Sequence, residues 1–275
     1  MIAACLKWVD RRPEIDPLTG GVHTDVRTSG PSDADEAALE WALRIGDAWG
    51  LDVVAVTAGP PAADAMLREA IAAGATRAVR VDVERDTRSD HVAASLAGAL
   101  PDGVSVVLCG AWSLDRGSGS VPAFLAARLD AAQALGLVTL SFDGADPHRL
   151  ELERRLDRGR RERLRVTAPA VLSVEGGSAS LRRAPLDRVL HSRSVEIEVH
   201  ISLSPPGSSP APVHTAPFRP RARVLPPPPA ELDARERILA LSGALTDREP
   251  PRLVRLDPGA AADELLAQLH TWGYR

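Results

Sequence analysis

Short apolar runs alternate with helix-period segments through the first two hundred residues, the pattern of an α/β domain built around a mainly parallel sheet. Ile2–Leu6 contains no polar side chain and reads as a buried strand. Residues 32–50 predict a helix. Ser32 is a fitting N-cap, Asp33, Asp35 and Glu36 crowd the positive end, and Leu39, Ala42, Leu43 and Ile45 recur at helical spacing. Residues 53–57 predict the next strand, closed by Gly59 and Pro60. Met66, Leu67, Ala70 and Ile71 share one face of a second helix that stops at Gly74. Strands are expected over 79–83 and 104–109, separated by a helix over 91–100. An alanine-rich helix over 123–129 follows, then strands over 137–142, 150–156, 163–166 and Ala170–Val174. The run RRLDRGRRERLR reads as a hairpin with Gly159 in its charged tip; the alternation with Leu156 and Leu164 favours a solvated hairpin over an RNA-binding arm.

The pattern changes near residue 203. Residues 203–229 are rich in proline and serine and predict an extended arm that forms no regular packed element. Helical patterns return over 230–245 and 259–272, the second ending at Gly273. The expected plan is an α/β domain over 1–202, an extended arm over 203–229 and a helical segment over 230–275 whose apolar positions suit packing on a partner chain.

Composition narrows the choice of function. A net charge of -4 gives no broad attraction to nucleic acid, and 3% aromatics make a base-stacking platform a poor expectation. Lys7 is the single lysine, so nearly all positive charge is arginine. Cys5 and Cys109 lie inside apolar runs and read as buried free thiols suited to a reducing compartment, not as a zinc site or disulfide scaffold. The first residues lack a signal-peptide layout, and no apolar run approaches the roughly 20 residues that cross a bilayer. The expectation is a cytoplasmic chain without membrane insertion.

One stretch looks built for a ligand. GAWSLDRGSGSV, residues 110–121, follows a buried strand and opens a helix, which places it at the carboxyl edge of a parallel sheet. Gly117, Ser118, Gly119 and Ser120 are small enough to let backbone N–H groups approach an anion, with Val121 opening the helix. The stretch is neither a Walker loop nor a dinucleotide fingerprint, and a plain glycine/serine loop remains the simpler reading. Catalytic constellations are missing. The seven histidines are scattered, and Asp115 has no paired group to support it as a general base.

These segments resemble the beta subunit of electron-transfer flavoproteins along almost the whole chain. CLKWVD is similar to the family's C-V-K-x-V-x-D, one residue shorter after Lys7, and DEAALEWALRI to its D-E-x-A-V-E-E-A-L-x-L helix. TAGPPAADAMLREAIAAGATRAVRV resembles T-x-G-P followed by L-R-x-A-L-A-x-G-A-D-R-A, with Gly59, Pro60, Leu67, Arg68, Ala70, Gly74, Ala75 and Arg77 in register. GAWSLDRGSGSVPAFLAARL resembles G-x-x-S-x-D-x-D-x-G-Q-V-x-x-x-L-A-x-x-L, and APAVLSV resembles L-P-A-V-x-x-V. APLDRVLHSRSVEIEV is similar to the segment P-L-x-x-x-M-x-A-K-K-K-x-I-E, and the closing PPRLVRLDPGAAADELLAQLHTWG to a proline pair followed by a strand and a helix.

The resemblance implies a Rossmann-like fold of the adenine-nucleotide-binding type, with helices on both faces of the sheet and a C-terminal arm and terminal helix embracing a partner. It implies a heterodimer whose alpha subunit binds FAD while this chain holds AMP as a structural ligand. The implied AMP residues are Cys5 through its backbone, Ser32, Ala58, and Gly110, Asp115, Gly117, Ser118, Gly119, Ser120 and Val121 of the loop. Leu186 is implied at the apolar tip of a loop that docks redox partners: a dehydrogenase as donor and a quinone reductase or similar respiratory acceptor. The chain would be an electron-carrier subunit and not an enzyme. Departures mark a divergent branch. The family's Asn-Pro-aromatic reads Ser32, Asp33, Ala34; the loop's second aspartate is Gly117 and its glutamine Ser120; the lysine cluster reads His191, Ser192, Arg193, Ser194. The alternative is a stand-alone AMP- or ATP-binding domain of the universal-stress type, which shares the sheet but gives no reason for the arm.

Overall fold

The computed structural model describes residues 1–84, 87–142, 149–201, 227–242 and 253–274. The chain divides into two compact units, Met1–Phe218 and Arg219–Arg275.

The first unit opens with β1 (Ile2–Leu6), followed by an excursion of four two-residue strands, β2 (Val9–Asp10), β3 (Glu14–Ile15), β4 (Val22–His23) and β5 (Ser29–Gly30). Asp10 ties that excursion down, accepting from the N–H groups of Arg12 and Asp25 and from the Thr28 hydroxyl. Then come α1 (Asp33–Trp49), β6 (Val53–Ala58), α2 (Asp64–Ala73), β7 (Arg77–Asp82) and α3 (Ser89–Ala99). The unit continues through β8 (Val106–Gly110), α4 (Val121–Arg128), β9 (Ala132–Phe142), β10 (Arg149–Arg155), β11 (Arg161–Thr167) and β12 (Ala170–Val174). It closes with α5 (Leu186–Ser192) and β13 (Glu198–Ile201).

Nine strands join in the order β11-β10-β9-β12-β8-β1-β6-β7-β13. The pairs from β9 to β13 are parallel; β10 runs antiparallel to both its neighbours. Alternation along β1 shows why helices must cover both faces. Ile2, Ala4 and Leu6 join a core with α1 and α2, whereas Ala3 and Cys5 join one with α3 and α4. The mainly parallel, two-faced α/β architecture expected from the sequence is the one observed.

Local differences from the sequence reading have plain causes. The alanine-rich helix starts at Val121, because proline is suited to a first helical turn and Pro122 sits there. The RRLDRGRRERLR hairpin forms as β10 and β11, with its arginines matched by glutamates across the strands: Arg154 with Glu162, Arg161 with Glu153 and Arg165 with Glu151. Residues 186–192 form a helix, so Leu186 begins α5 behind Pro185 and does not cap an irregular loop. β13 pairs in parallel with β7 at the sheet edge.

Among the described residues of the second unit are α6 (Ala234–Ser242) and α7 (Pro258–Thr271), the latter capped by Asp257 accepting from Gly259 and Ala260 N–H groups. The strand implied before the last helix is not formed over residues 253–257. The proline-rich arm lies almost wholly outside the described residues. No helix among them is long and apolar enough to cross a membrane.

Candidate site at the carboxyl edge of the sheet

The chain leaves β1 toward β6 and β7, then returns through α3 to place β8 on the other side of β1. The strand order therefore reverses between β1 and β8, and a crevice outside their carboxyl ends is where open α/β sheets bind ligands. Cys5 and Cys109 lie side by side in register there, both buried and both reduced. The Cys109 thiol is held well above its ordinary pKa by its hydrogen bond with Cys5 and by burial. Cys109 is therefore a packing thiol with little thiolate character.

Helix α1 begins against the same crevice. Ser32 caps it by accepting from the Asp35 N–H, and Asp35 Oδ2 accepts in return from the Ser32 N–H at 2.9 Å and its hydroxyl at 2.6 Å. Asp35 Oδ1 accepts from the backbone N–H of Lys7 at 3.2 Å, just past the end of β1. A Cβ on Gly110, at the end of β8, would stand 3.1 Å from that same oxygen. One buried carboxylate thus binds the first turn of α1 to the end of β1 and packs closely against the end of β8. Burial pushes the Asp35 pKa up to about 6, because the Ser32 and Lys7 hydrogen bonds only partly offset the loss of water. The sequence suggested only a favourable charge at a helix start; the carboxylate's tertiary partners come from strands distant in the chain.

Residues 110–121 line the other side. Gly117 and Gly119 adopt positive φ of 63° and 57°. The second has no substitute, since a Cβ there would lie 2.5 Å from the Ala111 carbonyl oxygen. This geometry leaves the backbone N–H groups of Ser118, Gly119, Ser120 and Val121 without an acceptor among the described residues, at the start of α4. The Ser118 and Ser120 hydroxyls lie 3.0 Å apart beside them. Consecutive unpaired N–H donors at a helix start match an anion such as a phosphate. Lys7 crosses the crevice mouth, its Nζ 3.1 Å from Ser113 Oγ and 2.5 Å from Asp115 Oδ1. Burial pushes the Asp115 carboxyl up, but the Lys7 and Ser113 hydrogen bonds outweigh it and hold the group below the usual range.

Cys5, Ser32, Gly110, Asp115 and the 117–121 segment therefore converge, with Lys7 and Asp35 as members that the sequence did not single out. Ala58 ends β6 one register step beyond the Leu6–Thr57 pair, beside Lys7. Leu186 lies elsewhere, exposed on α5, where Arg188 approaches Gly74 at the C-terminal end of α2.

Residues 21–201 match the model of the electron transfer flavoprotein domain. Protein FixA of Rhizobium meliloti is 29% identical over 209 residues, covering 71% of this chain and 70% of the relative. The electron transfer flavoprotein subunit beta of Mycobacterium tuberculosis is 30% identical over 204 residues, covering 70% and 73%. That of Methylophilus methylotrophus is 29% identical over 183 residues, covering 64% and 67%. With the doubly covered sheet and the switch-point crevice, these matches place the chain in the electron transfer flavoprotein family, among its beta subunits.

Proposed function

We propose that this chain is the beta subunit of a heterodimeric electron-transfer flavoprotein, with FAD held mainly by an alpha subunit and AMP held in the crevice between β1 and β8. The observation that carries the AMP reading is the row of N–H groups from Ser118 to Val121 that have no acceptor among the described residues, opened by Gly119. The AMP phosphate would be held there, and the adenosine by the Cys5 backbone, Ser32, Ala58 and Gly110. Ser32 spends its proton on Asp35, so it offers a nucleoside only an acceptor lone pair. Asp115 is engaged by Lys7 and Ser113, and Asp35 by Ser32 and the Lys7 N–H, so the role we assign the nucleotide is structural, tying β1, α1 and β8 together. FAD supplies the redox chemistry when the partner holds it; this chain binds and orients.

The redox partners would be a dehydrogenase as donor and a quinone reductase or similar acceptor, in the cytoplasm. Leu186, 73% exposed at the start of α5, is the anchor we assign to docking. The helical segments of the second unit carry exposed Leu241, Leu265, Leu266 and Trp272, apolar surface suited to the alpha subunit. Co-expression with an FAD-binding alpha subunit should give a yellow 1:1 complex, and truncation after residue 203 should weaken it. A stable, colourless monomer that ignores such a subunit would instead fit a stand-alone nucleotide-binding domain.

A further inference from the structure

The ammonium of Lys7 joins two strand ends that meet only in the folded chain. Its backbone N–H is anchored on Asp35 of α1, while Nζ reaches Asp115 in the loop after β8. Their side chains are 38% and 43% exposed, so the pair contributes little to global stability. Its consequence is local: it holds residues 110–121 across the mouth of the crevice. Arg116, the neighbouring cation, directs Nη1 to the Thr87 carbonyl and not to Asp115.

An aspartate in this loop would repel a phosphate bound at the adjoining N–H groups unless a cation stood beside it. Lys7 is that cation. A phosphate monoester carries about -1.5 to -2 charge at neutral pH against -1 for a carboxylate, so it can compete for the ammonium. Asp115 keeps other donors when it lets go, in the Arg116 N–H and the Ser113 hydroxyl.

From this geometry we propose that Lys7 is the positioning and anion-selecting residue of the crevice. It latches Asp115 in the absence of ligand and transfers its ammonium to the phosphate when a nucleoside monophosphate enters. The exchange rests on the nucleotide reading above; the latch does not.

The chain offers an unusually clean probe, because Lys7 is its single lysine. Reductive methylation with 13C-formaldehyde labels Lys7 and the N-terminal amine, two separable NMR signals. AMP should shift the Lys7 signal, and adenosine should leave it near its free position. By calorimetry on the full chain, Lys7→Met should lose about tenfold in AMP affinity, the size of one charge-assisted hydrogen bond, with adenosine affinity unchanged. Asp115→Asn should bind AMP as well as or better than wild type. Without ligand, Lys7→Met should speed hydrogen exchange at Ala111 and Gly117, whose N–H groups donate to the Val174 and Ser113 carbonyls. Equal losses for AMP and adenosine, or no loss, would overturn anion selection; unchanged exchange would overturn the latch. A wild-type chain that binds neither ligand would overturn the nucleotide reading and the exchange with it, while hydrogen exchange still decides the latch.

Discussion

Asp35 and Glu40 sit on the same helix, each 4% exposed, but their surroundings differ in kind. Glu40 lies between two cations: Oε1 accepts from Arg44, and Oε2 from the backbone N–H and guanidinium of Arg182. Burial pushes its carboxyl up, yet the arginine hydrogen bonds outweigh it and hold the group below the usual range. Asp35, at the crevice, is held by N–H and hydroxyl dipoles with no cation in hydrogen-bond reach among the described residues, and its pKa rises to about 6. The frame neutralises its charges locally. At the crevice edge, what has no counterpart among the described residues is the row of N–H donors from Ser118 to Val121, the feature an anion site requires.

Removing Glu40 should give the largest effect. Glu40→Ala removes the acceptor of the Arg182 N–H and guanidinium, leaving Arg182 only Asp47, and should cost about 2–3 kcal/mol, read from denaturant unfolding at neutral pH. A loss below 1 kcal/mol would mean that the frame does not depend on this pair.

Asp35 should behave in the opposite sense. Its pKa is raised from 3.8 to about 6, so the native state binds the proton more tightly than the unfolded state. The stabilisation is present below about pH 4 and lost as pH rises through 6. Wild type should lose about 2 kcal/mol relative to Asp35→Asn between pH 4 and 7, at about 1.4 kcal/mol per pKa unit over the part of the shift that window spans. Parallel stability curves for the two proteins would contradict the assignment.

The loop glycines sharpen the contrast within the site. Gly119→Ala forces a Cβ to 2.5 Å from the Ala111 carbonyl at positive φ and should cost about 2 kcal/mol and abolish AMP binding. Gly117→Ala meets nothing nearer than 3.8 Å and should cost about 1 kcal/mol from backbone strain alone. Equal effects of the two would show that loop shape is not what creates the donor row. Smallest of all, Leu186→Ala should leave fold and flavin content intact while weakening dehydrogenase docking by about 1 kcal/mol, visible as slower flavin reduction. Unchanged transfer kinetics would detach α5 from docking.

Long elements were legible because their periodicity repeats: β1, α1 and β12 lie within about a residue of their expected bounds, and α2 stops at Gly74 as expected. The two-residue strands β2 to β5 carry no period to read. β13 escaped because Val199 and Ile201 are exposed on an edge strand, so no buried alternation marks it. α5 is a seven-residue helix whose Leu186 and Leu190 remain exposed, so its pattern resembles a loop with apolar points. In the site, the glycine/serine segment could be found by its small residues after a buried strand. Lys7 and Asp35 could not, because a lysine after a strand and an aspartate in a first helical turn are both ordinary. What makes them site residues is the reversal of strand order that brings β1 and β8 together.

The central claim is that this chain supplies a nucleotide crevice to a complex whose flavin belongs to the other subunit. Its most direct test is to purify the complex with an FAD-binding alpha subunit, extract it with acid, and quantify FAD and AMP by chromatography, with FAD-derived AMP excluded. The account predicts one FAD and one AMP per heterodimer, with AMP lost and FAD retained in Gly119→Ala. FAD without AMP in the wild-type complex, or AMP retained by Gly119→Ala, would contradict it.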